Sequence, residues 1–392
     1  MNRWTMSSVG DLCEKVVSGG TPLTSRSDYY LNGDIPWLKT KEINQCRIYG
    51  TENYITQLGL DNSSAKLVPA NTVTVAMYGD GQTAGRVALT KVPLATNQAC
   101  CNLIIDTKIA DPDFVFYFLL GSYDELVARK TGSGQQNLNA QLIKAFEIPR
   151  PTLFDQKAIA SVLTSLDNKI DLLNRHSKTL EDMAETLFRQ WFVEEGQENW
   201  QEHKLSDFAD HCKDNVAPAK NPGKMFHHFS LPAFDSGKRP VVEMGSAILS
   251  NKYKVKPWTI LVSKLNPRFP RIWAIGETVD DDAICSTEFQ VFIPKKASLY
   301  GYIYFLLRSD DAKDGLAMAA SGTSGSHQRV RPEDISNIRT SLPSLNLAEQ
   351  YSLLVMPSLK KIWANSDQIH TLEKLRDTLL PKLMSGEIRV EL

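Results

Sequence analysis

The sequence predicts an α+β fold built twice: two mixed α/β domains at opposite ends of an antiparallel two-helix coiled coil, related by a pseudo-twofold internal repeat. Three observations carry that prediction. The helical stretch Leu180-Glu-Asp-Met-Ala-Glu-Thr-Leu-Phe188 returns as Leu372-Glu-Lys-Leu-Arg-Asp-Thr-Leu-Leu380, with every apolar position kept except Ala184, which becomes Arg376. Short apolar stretches such as Val73-Thr74-Val75 and Ile260-Leu261-Val262 recur at a nearly equal offset, as do Tyr117-Phe-Leu-Leu and Tyr304-Phe-Leu-Leu. Between the two apolar regions the hydrophobic period changes to that of a long helix. A repeat near 190 residues is too long for a solenoid and reads as duplication of a whole domain.

The elements follow in chain order. Residues 1–150 form the first globular domain: β-rich runs such as Val73–Tyr78 and Asn102–Ile105 alternate with Gly19-Gly20, Asn32-Gly33 and Gly79-Asp80-Gly81, which is strand and turn chemistry. One helix is expected there from Asp113 to Arg129, started by Asp111-Pro112-Asp113. Residues 151–195 form the first long helix. Ile159, Leu166, Leu173, Leu180 and Leu187 recur every seven residues, each followed four places later by Leu163, Ile170, Ser177, Ala184 and Trp191. Only Ser177 is polar, and no proline falls between Pro151 and Pro218. Five heptads predict a helix of about 55 Å from Gln156 to Phe192, ended by Gly196.

Residues 196–342 form the second domain, and 343–392 the second long helix and tail. Its stripe is Val355, Leu359, Ile362, Ser366, Ile369, Leu372, Leu379 and Leu383, with Pro357 expected to kink the helix or delay its start. Each globular half leads into its helix through Pro-x-Leu, at Pro151-Thr152-Leu153 and Pro343-Ser344-Leu345. A long amphipathic helix cannot hide its stripe alone, and the nearest partner is its own duplicate. Outside the seam, Met183, Phe188 and Phe192 on the first helix and Leu375, Leu380 and Met384 on the second are candidates for a partner-subunit surface, with coverage by the adjoining domains as the alternative.

Composition excludes several classes. No apolar run reaches the ~18 to 20 residues of a membrane span, and the N-terminus lacks the apolar core of a secretory signal, so a cytoplasmic protein is expected. Six cysteines fall in no metal-binding pattern, and no metal is expected. There is no phosphate loop, no dinucleotide fingerprint, no nucleophile elbow and no H-E-x-x-H. Asn266-Pro267-Arg268-Phe269 approaches the Asn/Asp-Pro-Pro-aromatic tetrad of adenine methyltransferases but lacks the second proline. The chain is therefore expected to have no catalytic residues and no cofactor.

Net charge is −1, which by itself argues against a nucleic-acid binder, but the distribution is uneven. From Ser250 to Ile275 stand Lys252, Lys254, Lys256, Lys264, Arg268 and Arg271 with no acidic residue. A local basic face of this kind suits phosphates, and a lysine-decorated strand edge is the plainer reading.

Gly33-Asp-Ile-Pro-Trp-Leu-Lys-Thr-Lys-Glu-Ile43, Gly79-Asp-Gly-Gln-Thr-Ala-Gly-Arg-Val-Ala88, Thr96-Asn97-Gln98, Gly134-Gln-Gln-Asn-Leu138 and the closing Lys382-Leu-Met-Ser-Gly-Glu-Ile-Arg389 resemble the specificity subunits of type I restriction-modification systems. The resemblance spans essentially the whole chain. It implies that each globular half is a target recognition domain reading one part of a split double-stranded DNA sequence. It also implies that the helices space these domains and dock two methyltransferase subunits, which carry S-adenosylmethionine, with restriction (translocase/nuclease) subunits joining the assembly. The second half departs from the pattern, with Ser263-Lys-Leu-Asn-Pro-Arg-Phe-Pro-Arg271 where the first has its glycine loop.

Base reading needs Arg or Lys for guanine, Asn or Gln for adenine, and apolar groups for the thymine methyl. The candidates in the first domain are Lys39, Thr40, Lys41, Tyr78, Gln82, Arg86, Gln135, Gln136 and Asn137. In the second they are Lys264, Arg268, Arg271, Ser324, His327, Gln328, Arg329 and Arg331. A rod-like scaffold with two protein-binding end domains is the alternative, and an enzyme with an unrecognised site is a third reading.

Overall fold

A computed structural model describes residues 4–79, 83–130, 137–197, 199–320 and 328–390. The chain divides into two compact units, Met1–Asp171 with Ile369–Leu392, and Leu172–Gln368. Each long helix therefore contributes a segment to both. The architecture is mixed α+β in each unit.

The first unit is organised by a five-stranded sheet in the order Cys13–Ser18, Cys100–Ile105, Val73–Ala76, Val87–Thr90, Cys46–Ile48. Its pairings are antiparallel except the last. Val73–Ala76 and Val87–Thr90 are buried at every position, as their unbroken apolar and β-branched character requires of strands covered on both faces. A four-stranded sheet, Tyr54–Ile55, Ile35–Leu38, Leu94–Thr96, Leu67–Val68, is built on a parallel central pair, Trp37 opposite Ala95. A two-stranded ribbon joins Thr5–Ser8 to Glu147–Arg150.

The helix expected from Asp113 to Arg129 is two helices. Asp111 caps Pro112–Gly121 by accepting from the Phe114 amide at 3.0 Å, and Ser122 then leaves helical geometry before Tyr123–Ala128. Gly121 and Ser122 hold a helix weakly, and Gly121 lies against Leu380, where an added Cβ would meet the leucine side chain at 3.4 Å.

The second unit repeats these connections. A four-stranded antiparallel sheet runs Ala209–Cys212, Phe289–Pro294, Ile260–Ser263, Ile272–Ala274. A five-stranded sheet, Asn215–Val216, Lys252–Lys254, Ala283–Cys285, Met225–Phe229, Val241–Met244, has a parallel pair at His228 and Ile284. The ribbon is Gln201–Lys204 with Arg339–Leu342. Strand for strand, Cys13–Ser18, Cys100–Ile105, Val73–Ala76 and Val87–Thr90 stand where Ala209–Cys212, Phe289–Pro294, Ile260–Ser263 and Ile272–Ala274 do. The parallel pairs at Trp37 and Ala95 and at His228 and Ile284 occur at the matching place, whereas the parallel strand Cys46–Ile48 of the first unit has no counterpart in the second unit's four-stranded sheet. At the head of each unit an aspartate accepts from the backbone three residues back, Asp11 from Ser8 and Asp207 from Lys204.

The first long helix spans Leu153–Arg189 and closes with a wider π turn at Gln190–Glu194. Thr152 starts it, its hydroxyl accepting from the Asp155 amide at 3.2 Å. In the first unit Ile159, Leu163 and Ile170 are buried and Leu166 is half-buried. From the other helix Ile369, Leu380, Leu383 and Met384 are buried there, with Leu372 and Leu379 half-buried. Ile159, Leu163, Leu380, Leu383 and Met384 share one core with the sheet residues Val73, Val75 and Leu103. Arg376, the cation that replaces Ala184 in the repeat, donates to Asp167 at 3.0 Å. Tyr117 donates to the other oxygen of that carboxylate at 2.6 Å.

In the second unit Leu173 and Leu359 are buried, and Leu180, Leu187, Trp191 and Ile362 are half-buried. Ser177, the one polar seam position, is met by the fully buried Asn365, whose amide donates to its hydroxyl at 3.0 Å. Tyr351, also fully buried, donates to the Ala184 carbonyl at 2.7 Å.

The second long helix does not wait for Pro357. It runs unbroken from Leu345 to Met384, through Pro357 and Pro381. A proline inside a helix frees the carbonyl four residues earlier. Here Leu353 and Pro357 are both exposed, as are Asp377 and Pro381, so water meets both freed carbonyls and the helix persists.

Four of the six residues expected at a partner surface lie inside the chain's own cores. Phe188 and Phe192 pack with Tyr302 and Tyr351, at ring separations of 4.9 Å between the phenylalanines and 5.0 to 5.7 Å to the tyrosines. Leu380 and Met384 are buried in the first unit. The amphipathic stripe is wider than a two-helix seam because each segment also covers sheet and helix residues of its own unit. Met183 and Leu375 remain exposed, at 58% and 45%. Among the described residues no helix is long and apolar enough to cross a membrane.

Candidate nucleic-acid interface

In the first unit one turn ties the two sheets together. Asn97 donates its amide to the Leu38 carbonyl at 2.9 Å, and Ala99 accepts from the Met77 amide at 2.8 Å. Met77 in turn accepts from the Leu138 amide at 2.9 Å. Ala76, one residue earlier, donates to the Arg86 carbonyl at 2.9 Å. Four chain segments therefore converge where the strands end: Lys39 and Tyr78 follow the bonded Leu38 and Met77, Arg86 is itself bonded, and Asn137 precedes the bonded Leu138. The structure brings these sequence candidates together although up to 98 positions separate them. Gln82, Gln135 and Gln136 lie outside the described residues.

The second unit has the same lattice. Ser286 donates to the Phe229 carbonyl at 3.0 Å, Lys264 donates to Glu288 at 2.9 Å, Val330 donates to Lys264 at 3.0 Å, and Ser263 donates to Arg271 at 2.9 Å. Lys264 thus stands where Met77 does, Arg271 where Arg86 does, and Arg329 where Asn137 does. Leu265 pairs with Arg329 as an antiparallel bridge, and Asn266 donates to the Gln328 carbonyl at 2.8 Å, fixing Gln328 and Arg329 beside the loop 264–271. Ser324 and His327 lie outside the described residues. Arg331 is exposed and starts the short helix Pro332–Ser336, its amide donating to Asp334 at 2.7 Å.

The side chains on these lattices differ. Lys39 is half-buried, its ammonium 4.9 Å from the centre of the Trp37 ring and donating to Asn53 at 3.0 Å. Thr40 and Lys41 begin the 3-10 turn that follows, with Lys41 exposed and ion-paired to Glu52. That hydrogen bond raises the Lys41 pKa above its ordinary value. Tyr78, Arg86 and Asn137 are half-buried. In the second unit Arg271 makes a two-pronged pair with Asp235, at 2.7 and 2.9 Å, which raises its pKa. Arg329 pairs with Glu288 at 3.2 Å, and Arg268 is exposed.

Sequence reasoning missed these carboxylates, since Glu52, Asp235 and Glu288 lie 11, 36 and 41 residues from their cations. Such pairs orient a cation cheaply. A solvent-exposed pair contributes at most about 1 kcal/mol, so a phosphate or base edge can take the carboxylate's place.

The basic run from Lys252 to Arg271 is not one face. Lys252 is buried, its ammonium held by Ser250 at 2.6 Å, and burial lowers its pKa. Lys256, just beyond the strand Lys252–Lys254, pairs with Asp214 at 3.1 Å. Lys264, Arg268 and Arg271 instead belong to the loop beside Gln328 and Arg329. The split follows from the topology, because Lys252–Lys254 is a strand of the five-stranded sheet, whereas 264–271 follows Ile260–Ser263 of the four-stranded sheet. Among the described residues, no group of three or more His, Cys, Asp or Glu side chains is placed to hold a metal ion.

Known proteins resemble this chain in both sequence and fold. The type I restriction modification DNA specificity domain matches residues 1–182. The type I restriction enzyme MjaIX specificity subunit of Methanocaldococcus jannaschii is 26% identical, over 99% of this chain and 94% of that protein. The EcoR124I/EcoR124II specificity subunit of Escherichia coli is 29% identical, over 42% of this chain and 40% of that protein. The crystal structure of the type I restriction-modification S subunit from M. genitalium shares the fold, with a TM-score of 0.60 at 17% identity, covering 97% of this chain and 96% of that one. The chain thus matches the type I restriction modification DNA specificity domain over residues 1–182, and along nearly its whole length it is similar to a type I restriction enzyme specificity subunit.

Proposed function

We propose that this chain reads a split double-stranded DNA target for a type I restriction-modification assembly and has no catalysis of its own. Each globular part, 1–150 and 196–342, is a target recognition domain, and 151–195 and 343–392 are the spacer helices. Methyl transfer comes from two methyltransferase subunits that carry S-adenosylmethionine, and cleavage from restriction subunits. The observation that carries the reading is the shared backbone lattice. It keeps an arginine at one position, Arg86 and Arg271, and changes the side chain at two others, Met77 to Lys264 and Asn137 to Arg329, which suits two domains that read different bases by direct contact.

The helices fit an antiparallel coiled coil with pseudo-twofold symmetry. Within the second unit, Tyr351 meets Ala184 and Asn365 meets Ser177, so position rises along one helix as it falls along the other. Met183 and Leu375 are the exposed apolar candidates for methyltransferase contact.

Footprinting of the assembled complex tests the reading. Two protected base clusters about one helical turn apart are expected, with affinity that falls as salt rises. A scaffold with protein-binding ends would show no salt-dependent, sequence-selective affinity. Deleting one heptad from each helix should shorten the accepted spacer by about 3 base pairs, since about 10 Å of helix matches three steps of 3.4 Å. An unchanged spacer would refute the ruler.

A further inference from the structure

The loop 264–271 carries an aromatic ring that the fold does not use. Phe269 is 71% exposed, although burying such a ring would contribute about 1.5–3 kcal/mol. Isolated exposed phenylalanines are common, so exposure alone decides nothing. The setting of this one is specific. Its amide donates to the Asn266 carbonyl at 3.0 Å, closing a tight turn in which Asn266 takes the left-handed conformation, φ +54°. Pro267 stands inside the turn and Pro270 follows it, and each removes backbone freedom. The ring is therefore presented outward on a stiffened tip. Arg268 precedes it, exposed, and Arg271 follows two residues later, held by Asp235. Gln328 and Arg329 stand beside the base of the same loop.

We infer that Phe269 makes an apolar contact with the bases of the target half read by the second unit, between phosphate-seeking cations that bring the loop against the duplex. The inference rests on the DNA-reading function proposed above. It assigns a specificity determinant of a different kind from the polar candidates. An aromatic ring reads a duplex either by packing on a thymine methyl in the major groove or by wedging into a base step. Both are apolar contacts with bases, and both favour a ring on a rigid tip, since little conformational freedom is lost on binding.

The test uses the full chain co-purified with its methyltransferase subunits and a library of randomised duplexes. Wild type should enrich a two-part motif. Phe269→Ala should weaken preference about tenfold at one or two adjacent base pairs in one half of the motif and leave the other half unchanged. Phe269→Leu should retain part of that preference. Arg268→Ala should instead weaken all duplexes evenly and reduce the salt dependence by about one phosphate contact. At the affected position, a thymine-to-uracil change that weakens wild type but not Phe269→Ala identifies the methyl contact. A rise in 2-aminopurine fluorescence with wild type alone identifies the wedge. Either result supports the inference. If Phe269→Ala selects the same motif with affinity within about twofold of wild type, the inference is overturned while the DNA-reading function stands. If wild type itself enriches no motif, the function fails and the inference fails with it.

Discussion

Truncating Phe188 to alanine separates two roles for the apolar bulk at the end of the first helix. The ring is 5% exposed and touches Phe192, Tyr302 and Tyr351, with centroids 4.9 to 5.7 Å away. Removing a buried phenylalanine costs about 3–5 kcal/mol, from lost transfer energy plus an incompletely collapsed cavity. For a unit of this size each kcal/mol moves the midpoint by about 2–4 °C, so Phe188→Ala should lower the thermal midpoint of the second unit by roughly 6 to 20 °C. Met183→Ala, five residues earlier at a position 58% exposed, should change stability by no more than about 0.5 kcal/mol. The assay is thermal unfolding of the isolated chain followed by tryptophan fluorescence. Co-purification with methyltransferase subunits is measured in parallel below the midpoint. A Phe188→Ala chain that melts within about a degree of wild type yet no longer captures its partner would refute the core assignment and restore Phe188 to an interaction surface.

Three further outcomes follow from the helices and two half-buried histidines. Asn365→Ala should destabilise by about 1–3 kcal/mol in urea, because it leaves a cavity and an unpartnered Ser177, whereas Asn365→Leu with Ser177→Ala should be neutral or stabilising. Equal losses in both variants would refute the pairing. Pro357→Ala should raise stability by up to about 3 kcal/mol, since its new amide can reach the Leu353 carbonyl at an exposed site; an unchanged midpoint would mean that the helix there is strained for another reason. Burial lowers the pKa of His228 against the opposing pull of Glu243, and burial likewise lowers that of His211. A group whose folded pKa is depressed stabilises above its unfolded value, here 6.5, and loses that contribution as pH falls toward the folded value. Stability of the second unit should therefore be level above about pH 7 and decline below about 6.5, and replacing both histidines with glutamine should flatten the decline. A decline unchanged in the double variant would assign it to carboxylates instead.

Much of the fold was legible because its signals are local. The Pro-x-Leu entries place the helix starts at Leu153 and Leu345, and the offset of 187 that matched Val73-Thr-Val75 to Ile260-Leu-Val262 matches equivalent strands. Aspartates 11 and 207 stand in the similar stretches Gly10-Asp-Leu12 and Ser206-Asp-Phe208 and cap equivalent turns. What failed to show was set by tertiary context. Pro357 costs the helix less where its freed carbonyl is on the exposed side, and exposure of Leu353 is invisible to a residue count. Phe188 and Leu380 look like surplus apolar bulk until the aromatic cluster and Gly121 are seen against them. Ser177 read as a flaw in the heptads because its partner, Asn365, is 188 positions away. Among the base-reading candidates, residue type alone suggested Lys41, Arg271 and Arg329, whereas their carboxylate partners depend on strand pairing that no linear spacing reveals.

The two units show how domains that share a backbone lattice can differ in side chains without losing their fold. The bonds that assemble each candidate site are main-chain bonds: the Asn97–Leu38, Met77–Ala99 and Leu138–Met77 contacts of the first unit recur as Ser286–Phe229, Lys264–Glu288 and Val330–Lys264 in the second. Main-chain bonds do not depend on side-chain identity, so Met77 can become Lys264 and Asn137 can become Arg329 with the lattice intact. The cost of change then falls on the side chains alone, and a neighbouring carboxylate offsets it where a cation is introduced. Ala99 stands where Glu288 does, and Glu288 is the acid that pairs with Arg329. An added cation and its counter-charge have arrived at adjacent lattice positions, and neither bond direction nor strand register had to move. By the same logic, placing arginine at Asn137 alone should leave an unpaired cation in the first unit, and adding glutamate at Ala99 should restore the pair. Ala99 is buried, however, so the added carboxylate has to emerge toward the arginine to be tolerated. Thermal unfolding of the two single variants and the double variant measures the coupling, and additive effects would deny that the two lattices are interchangeable.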